Sequence, residues 1–158
     1  MNGLAVSVLD AARSRLNEPY INHFNPNNCE GGAITTAACM ESGMDGSGYD
    51  CSGLVVASLC EVLGIKTTDW PANLRHVSQF EQLAAPTDAQ FADVLLFDSM
   101  RPDGTPYRTH CGIYTGPQRV VHSTGRSKRV VEGTVETTGV ITDIRVVPLR
   151  HLIEKALQ

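Results

Sequence analysis

Asp50-Cys51-Ser52-Gly53-Leu54-Val55 is the stretch on which the fold and the chemistry of this chain turn. It stands where a polar, glycine-rich segment gives way to an apolar run of helical spacing: Leu54-Val55, Leu59 and Val62-Leu63, stopped by Gly64. The spacing predicts a helix over 52–63, with Ser52 near its N-cap. A cysteine at a helix start has unpaired backbone N–H groups beneath it and the positive end of the helix dipole behind it. Both favour thiolate over thiol, and thiolate is the nucleophilic form.

Downstream come Thr109-His110-Cys111-Gly112-Ile113-Tyr114 and Val120-Val121-His122-Ser123. Both read as short β runs, separated by the turn signal Gly116-Pro117. On adjacent antiparallel strands His110 and His122 can share a face, because side chains alternate with period two. One cysteine and two histidines are the parts of a nucleophile, its base and the group that orients the base. In that reading His110 accepts the Cys51 proton and His122 sets the tautomer of His110. Such chemistry needs no metal and no organic cofactor. A Cys/His zinc site is the rival, but the spacing fits no compact ligand pattern.

Working outward, the periodicity predicts a helix from Leu4 to Leu16, ended by Glu18-Pro19. Residues 20–49 show no period and read as a long loop with room for one short helix, of the kind that is usually functional. Trp70-Pro71 opens a second helix to about Leu83. After Pro86 the pattern turns β: Asp93–Asp98, His110–Thr115, Arg119–Ser123, Arg129–Val131 and Asp143–Val147, with a polar loop over 99–108. Leu149–Leu157 closes the chain as a helix. Helices first and an antiparallel meander second predict an α+β domain with a central sheet of about five strands.

At 158 residues the chain fits a single domain spanning 1–158, and its 42% apolar share supports a sizeable core. The formal charge of −4 leaves no basic footprint for nucleic acid. Arg126, Lys128 and Arg129 read as a solvated hairpin turn. No stretch reaches membrane-span length, and Asp10, Arg13 and Arg15 interrupt the N-terminus too early for a signal peptide. The five cysteines are odd in number, so at least one is free or paired between molecules, and Cys51 is the candidate. A Cys29–Cys39 disulfide could close the polar loop, while Cys60 and Cys111 read as buried thiols.

Taken together, D-C-S-G-L-V at 50–55, D-V-L-L-F at 93–97, H-C-G-I-Y at 110–114 and V-H at 121–122 resemble the NlpC family of cell-wall cysteine peptidases, which are papain-like in the broad sense. The likeness covers roughly residues 10 to 132, in the family's order. It implies a peptidoglycan hydrolase that cuts amide bonds in stem peptides, often between D-glutamate and the next diamino acid. Carried over residue by residue, it makes Cys51 the nucleophile, His110 the base and His122 the third polar member. It brings Asp50 and Ser52 to the substrate, and offers Tyr20 as an oxyanion donor. The chain departs from the pattern after Tyr20, where Ile21-Asn22-His23-Phe24 replaces Trp-Gly-Gly and about thirty residues separate Tyr20 from Cys51. Tyr49 and Tyr107 are therefore rivals for the same role. The valine of the family's H-V-G-I-Y is Cys111 here, and the glycine of its G-D-L-V-F-F is Ala92. The implied partner is a peptidoglycan stem peptide, met by a monomer. Without a readable export signal or wall-binding repeat, the chain suits a phage lysin or tail-associated fragment, a secretion-system effector, or a piece of a larger protein. A papain-like acyltransferase or amidase and a non-catalytic wall-binding module are the alternatives.

Overall fold

The computed structural model describes residues 3–20, 49–66, 69–71, 74, 88–100, 103–104, 110–134 and 140–158. Helix α1 is Gly3–Arg13 and helix α2 is Cys51–Leu63. The strands follow as β1 Val94–Met100, β2 His110–Gly116, β3 Arg119–Thr124, β4 Arg129–Thr134 and β5 Val140–Val147, and α3 is Leu149–Ala156. The strands form one antiparallel sheet in the order β4-β3-β2-β1-β5. This is the expected α+β arrangement of helices packed on a five-stranded antiparallel sheet. No helix among the described residues is long and apolar enough to cross a membrane.

The two faces of the sheet follow from side-chain alternation. Val94, Leu96, Cys111, Ile113, Val121 and Val130 point to one face and pack with α1, α2 and α3. Leu95, Phe97, Val120 and Val146 form a smaller cluster with Tyr114 on the other. Helix α2 is apolar nearly all round: Leu54, Val55, Val56, Ala57, Leu59 and Cys60 are all buried. That is why it runs through the centre of the core and α1 lies beside it.

Two boundaries differ from the periodicity. The first helix stops at Arg13 rather than Leu16, because Asn17 takes a left-handed φ of 71° and donates its N–H to Val130 C=O at 2.9 Å. The turn hooks the chain onto β4, where Glu18 C=O accepts from Val130 N–H, and Leu16 is left partly in water. Asp93 lies outside the strand it was read into. Its buried carboxylate accepts from Gln90 N–H and from Leu149 N–H, both at 2.9 Å, so it closes the turn before β1 and caps the start of α3. Ala92 beside it holds a φ of 72°, which explains the glycine of the G-D-L-V-F-F pattern at this place. Of the expected helix from Trp70 to Leu83 only Trp70, Pro71 and Leu74 are described; its remainder, the interior of the 20–49 loop, the Cys29–Cys39 pairing and Tyr107 lie outside the described residues.

Asp93→Ala strands the buried Leu149 N–H, at a cost of roughly 1–3 kcal/mol, and the partly buried Gln90 N–H, which costs less. Urea unfolding is expected to show a loss of about 3 kcal/mol. Asp93→Asn, which keeps one accepting oxygen, should fall between that variant and the wild type.

Candidate active site

The first turn of α2 places Cys51. Asp50 is the N-cap, with extended backbone, and its carboxylate accepts the Gly53 N–H while its C=O accepts the Leu54 N–H at 3.1 Å. Gly53 is required by that cap: a methyl group at residue 53 would lie 2.8 Å from Asp50 Oδ1. The helix therefore begins one residue before the Ser52 expected from the sequence, and Cys51 is its first helical residue. Its exposure is 7%, enough for a sulfur at the floor of a cleft and too little for water to solvate a charge. Ser52 is wholly buried, and its hydroxyl faces Cys111 Sγ at 3.9 Å.

The histidines come from neighbouring strands. His110 opens β2 opposite Phe97 of β1, and the two rings stack at 5.9 Å with an interplanar angle of 26°. His122 stands on β3, and its Nδ1 lies 2.8 Å from His110 Nε2. Gly112, between His110 and Tyr114 on the same face, lets the rings meet. A methyl group there would press on Val120 Cβ at 3.0 Å and on His122 Cβ at 3.1 Å. With Nε2 of His110 engaged by His122, its Nδ1 is the nitrogen left for the Cys51 thiol, with which the His110 ring interacts.

Among the described residues, the Cys51 thiol interacts with the side chain and backbone of Cys111 and with the His110 ring. The Cys111 thiol does most to hold the Cys51 thiol well below its ordinary range, against the opposing effect of burial. The hydrogen bond and charge of His110 add to it. Cys111 moves the other way, driven up by burial and then by the charge on Cys51. Of the two thiols, Cys51 is the one that ionises. His122 is pushed down to about 3, first by burial and then by the positive charge of His110, so it stays neutral. When His110 is imidazolium its Nε2–H donates, His122 Nδ1 accepts, and the single His122 proton sits on Nε2. Among the described residues that Nε2 has no hydrogen-bond partner.

Backbone pairing ties the flanking segments to this centre. Ser123, next to His122, donates to Tyr49 C=O at 2.6 Å, and Tyr49 is two residues before Cys51. Tyr20 pairs with Tyr49 and donates its N–H to Lys128 C=O at 3.0 Å, and its ring lies over Gly125 in the β3–β4 turn. Tyr49 is buried under the Arg15 guanidinium, 5.9 Å from its ring centroid. Of the predicted residues, Cys51, His110 and His122 meet directly, Asp50 caps the helix below them, Ser52 supports them from behind, and Tyr20 reaches the Cys51 segment through Tyr49. Sequence reasoning missed Ser123, Phe97 and the part played by Cys111. A serine and a cysteine inside apolar strands, each adjacent to a candidate histidine, were the available signals.

The description NlpC/P60 family fits residues 40–147. No curated protein sequence is a significant match to the chain. Among solved structures, the chain is similar to the NlpC/p60 domain of the peptidoglycan hydrolase SagA, with a TM-score of 0.53 at 20% identity over 93% of this chain and 99% of that one. It is also similar to the peptidoglycan hydrolase RipB from Mycobacterium tuberculosis, with a TM-score of 0.52 at 19% identity over 90% of this chain and 63% of that one. An NlpC/P60 family protein from Bacillus cereus gives a TM-score of 0.55 at 20% identity over 90% of this chain and 38% of that one. At these identities the likeness is one of fold.

The depressed His122 makes stability depend on pH. Its neutral form is favoured by the fold, so its contribution is complete above about 6.5 and is lost as pH falls toward about 3, while the unfolded chain takes up the proton. The slope for one such group reaches about 1.4 kcal/mol per pH unit. Urea unfolding of wild type and His122→Gln between pH 7 and pH 4.5 is expected to give a shallower pH dependence in the variant. Parallel curves would show that His122 titrates normally.

Proposed function

The chain belongs to the NlpC/P60 family, and from that premise we propose that it is a peptidoglycan hydrolase, a cysteine peptidase that cuts an amide bond of cell-wall stem peptides. The observation that carries the reading is the continuous contact from Cys51 through His110 to His122, with the last link at 2.8 Å and the thiol depressed where it touches the imidazole. Two of the solved structures of like fold are peptidoglycan hydrolases by name, which supports the substrate class.

In this reading the Cys51 thiolate attacks the peptide carbonyl and forms a tetrahedral oxyanion. The Cys51 N–H, in the first turn of α2 where backbone donors have no intrahelical acceptor, is the backbone donor assigned to that charge. Tyr20 is the side-chain candidate to assist it. His110, as imidazolium, gives its Nδ1 proton to the leaving amine and leaves a thioester. Water, deprotonated by His110, then releases the acid and restores the thiol centre. His122 stays neutral throughout and holds the His110 ring by Nε2. Asp50, carried over from the family resemblance, is the carboxylate we assign to pair with a free amine of the stem peptide, in keeping with cleavage between D-glutamate and a diamino acid. The site of action is the bacterial cell wall, as a lysin, an effector or the catalytic part of a larger protein, with residues 1–158 as one catalytic domain.

Cys51→Ala and His110→Ala are expected to abolish release of fragments from purified peptidoglycan with the far-UV spectrum unchanged. His122→Ala should cost less, on the order of a hundredfold, since it orients the proton-transfer group rather than transferring the proton. Masses of the fragments from defined muropeptides identify the bond. Turnover retained by Cys51→Ala would sink the reading.

A further inference from the structure

Cys111 stands where the H-V-G-I-Y pattern has valine, and the mechanism above makes no use of its thiol. It has no exposed surface, it lies on the core face of β2 with Ile113, and no aqueous partner can reach it. A buried S–H is tolerated among apolar residues as a small hydrophobe. This one instead has polar neighbours on two sides. Its side chain and that of Cys51 sit in one buried cluster and interact, and behind it the wholly buried Ser52 hydroxyl is 3.9 Å from its sulfur. Any residue at this position offers a backbone N–H to Cys51. Valine offers nothing more, and cysteine adds a second donor.

We propose that Cys111 is a donor thiol of the active centre, its S–H directed to the Cys51 sulfur and its own sulfur accepting from the Ser52 hydroxyl. The inference rests on Cys51 being the nucleophile of the proposed hydrolase. The direction of the chain follows from where charge can sit. Two adjacent sulfurs cannot both be anionic in a site closed to water, and only Cys51 has the His110 ring beside it. The remaining thiol proton therefore stays on Cys111 and points at the thiolate. Burial and the neighbouring charge both hold Cys111 protonated. A row of hydrogen bonds running Ser52 O–H to Cys111 S–H to Cys51 polarises in one sense, so each bond strengthens the next. The wholly buried Ser52 thereby serves the sulfur centre from inside the core.

The arrangement changes the nucleophile in two opposite ways. A donor on the thiolate enlarges the ionised fraction at low pH, and it also draws down the intrinsic reactivity of the sulfur. Removing the donor raises the thiol's proton affinity, and nucleophilicity rises with it by a Brønsted factor of about 0.4–0.5. A loss of packing alone produces no such paired, opposite change.

The test uses the whole 158-residue chain and needs no substrate. Alkylation of Cys51 by iodoacetamide is followed from pH 4 to pH 10, with peptide mass spectrometry reading Cys51 separately from the other thiols. In Cys111→Val the midpoint is expected to rise by about one pH unit, cutting the thiolate fraction below the midpoint about tenfold and, with the more reactive thiolate, slowing alkylation there about threefold. The plateau rate at high pH should rise about threefold. Cys111→Ser, which restores a donor, should return the midpoint at least half way to wild type. Ser52→Ala should shift it in the same direction as Cys111→Val by less. An unchanged midpoint and plateau in Cys111→Val with a native far-UV spectrum would overturn the proposal. If that variant does not fold, Ser52→Ala alone decides: an unchanged midpoint overturns the proposal and a raised one supports it. A chain that shows these shifts and leaves peptidoglycan intact contradicts the proposed hydrolase, not the sulfur pair. A chain that cleaves peptidoglycan without the shifts contradicts only the sulfur pair.

Discussion

A sulfur charge that water cannot reach must be solvated by the protein. Moving an ion out of water costs several kcal/mol unless fixed donors replace the lost hydrogen bonds. Cys51, almost fully buried at the start of α2, meets this constraint with a thiol, an imidazole and a backbone N–H. Each of these comes from His110 or Cys111, so among the described residues the first two of β2 supply the groups that act on the sulfur. The seating of α2 on the sheet is therefore also the step that makes the nucleophile. Asp50 fixes where the helix begins, Gly53 makes room for that cap, and the apolar girth of Leu54–Cys60 drives the helix into the core beside β2. Displace the cap by one residue and the sulfur turns away from all of its donors.

The second half of the centre depends on strand register. His110 and His122 can meet because β2 and β3 are adjacent, the Gly116–Gln118 turn is tight, and Gly112 has no side chain between them. Phe97 backs the first ring from β1, and Ser123 binds the strand of the second ring to the segment before Cys51. Local folding and chemistry are thus the same contacts. The sheet order β3-β2-β1 is what stacks His122, His110 and Phe97 in a row.

Much of this was legible in the sequence, for identifiable physical reasons. The strands announced themselves because Gly116-Pro117 and Gly125 punctuate short β-branched runs, and four of the five begin within a residue of where the pattern places them. Gly64 marked the end of α2 by its left-handed backbone. The errors arose where tertiary hydrogen bonds outbid local periodicity. Leu16 has helical spacing, yet Asn17 is claimed by β4 before the helix can reach it. Asp93 reads as the first residue of a strand, yet its carboxylate is claimed by the N-terminus of α3, far along the chain. In the site, types and spacing revealed Cys51, His110 and His122. They could not reveal that the Ser52 hydroxyl points inward, because direction at a helix start depends on which residue is the cap.

The proton inventory ties these points together. The row holds two thiols, two imidazoles and one hydroxyl, all buried except the partly exposed His110. His122 is the most buried of the imidazoles and refuses a second proton, so any positive charge must settle on His110. Cys111 faces the apolar core and refuses to give its proton up, so any negative charge must settle on Cys51. Burial at the two ends thus confines the charge separation to the middle pair, where the reacting atoms are. A cysteine and a histidine in contact at the surface would share a proton with solvent on both sides. Here both outer members are closed to water, and the electrostatic asymmetry of the centre follows from which side chains the sheet turns inward.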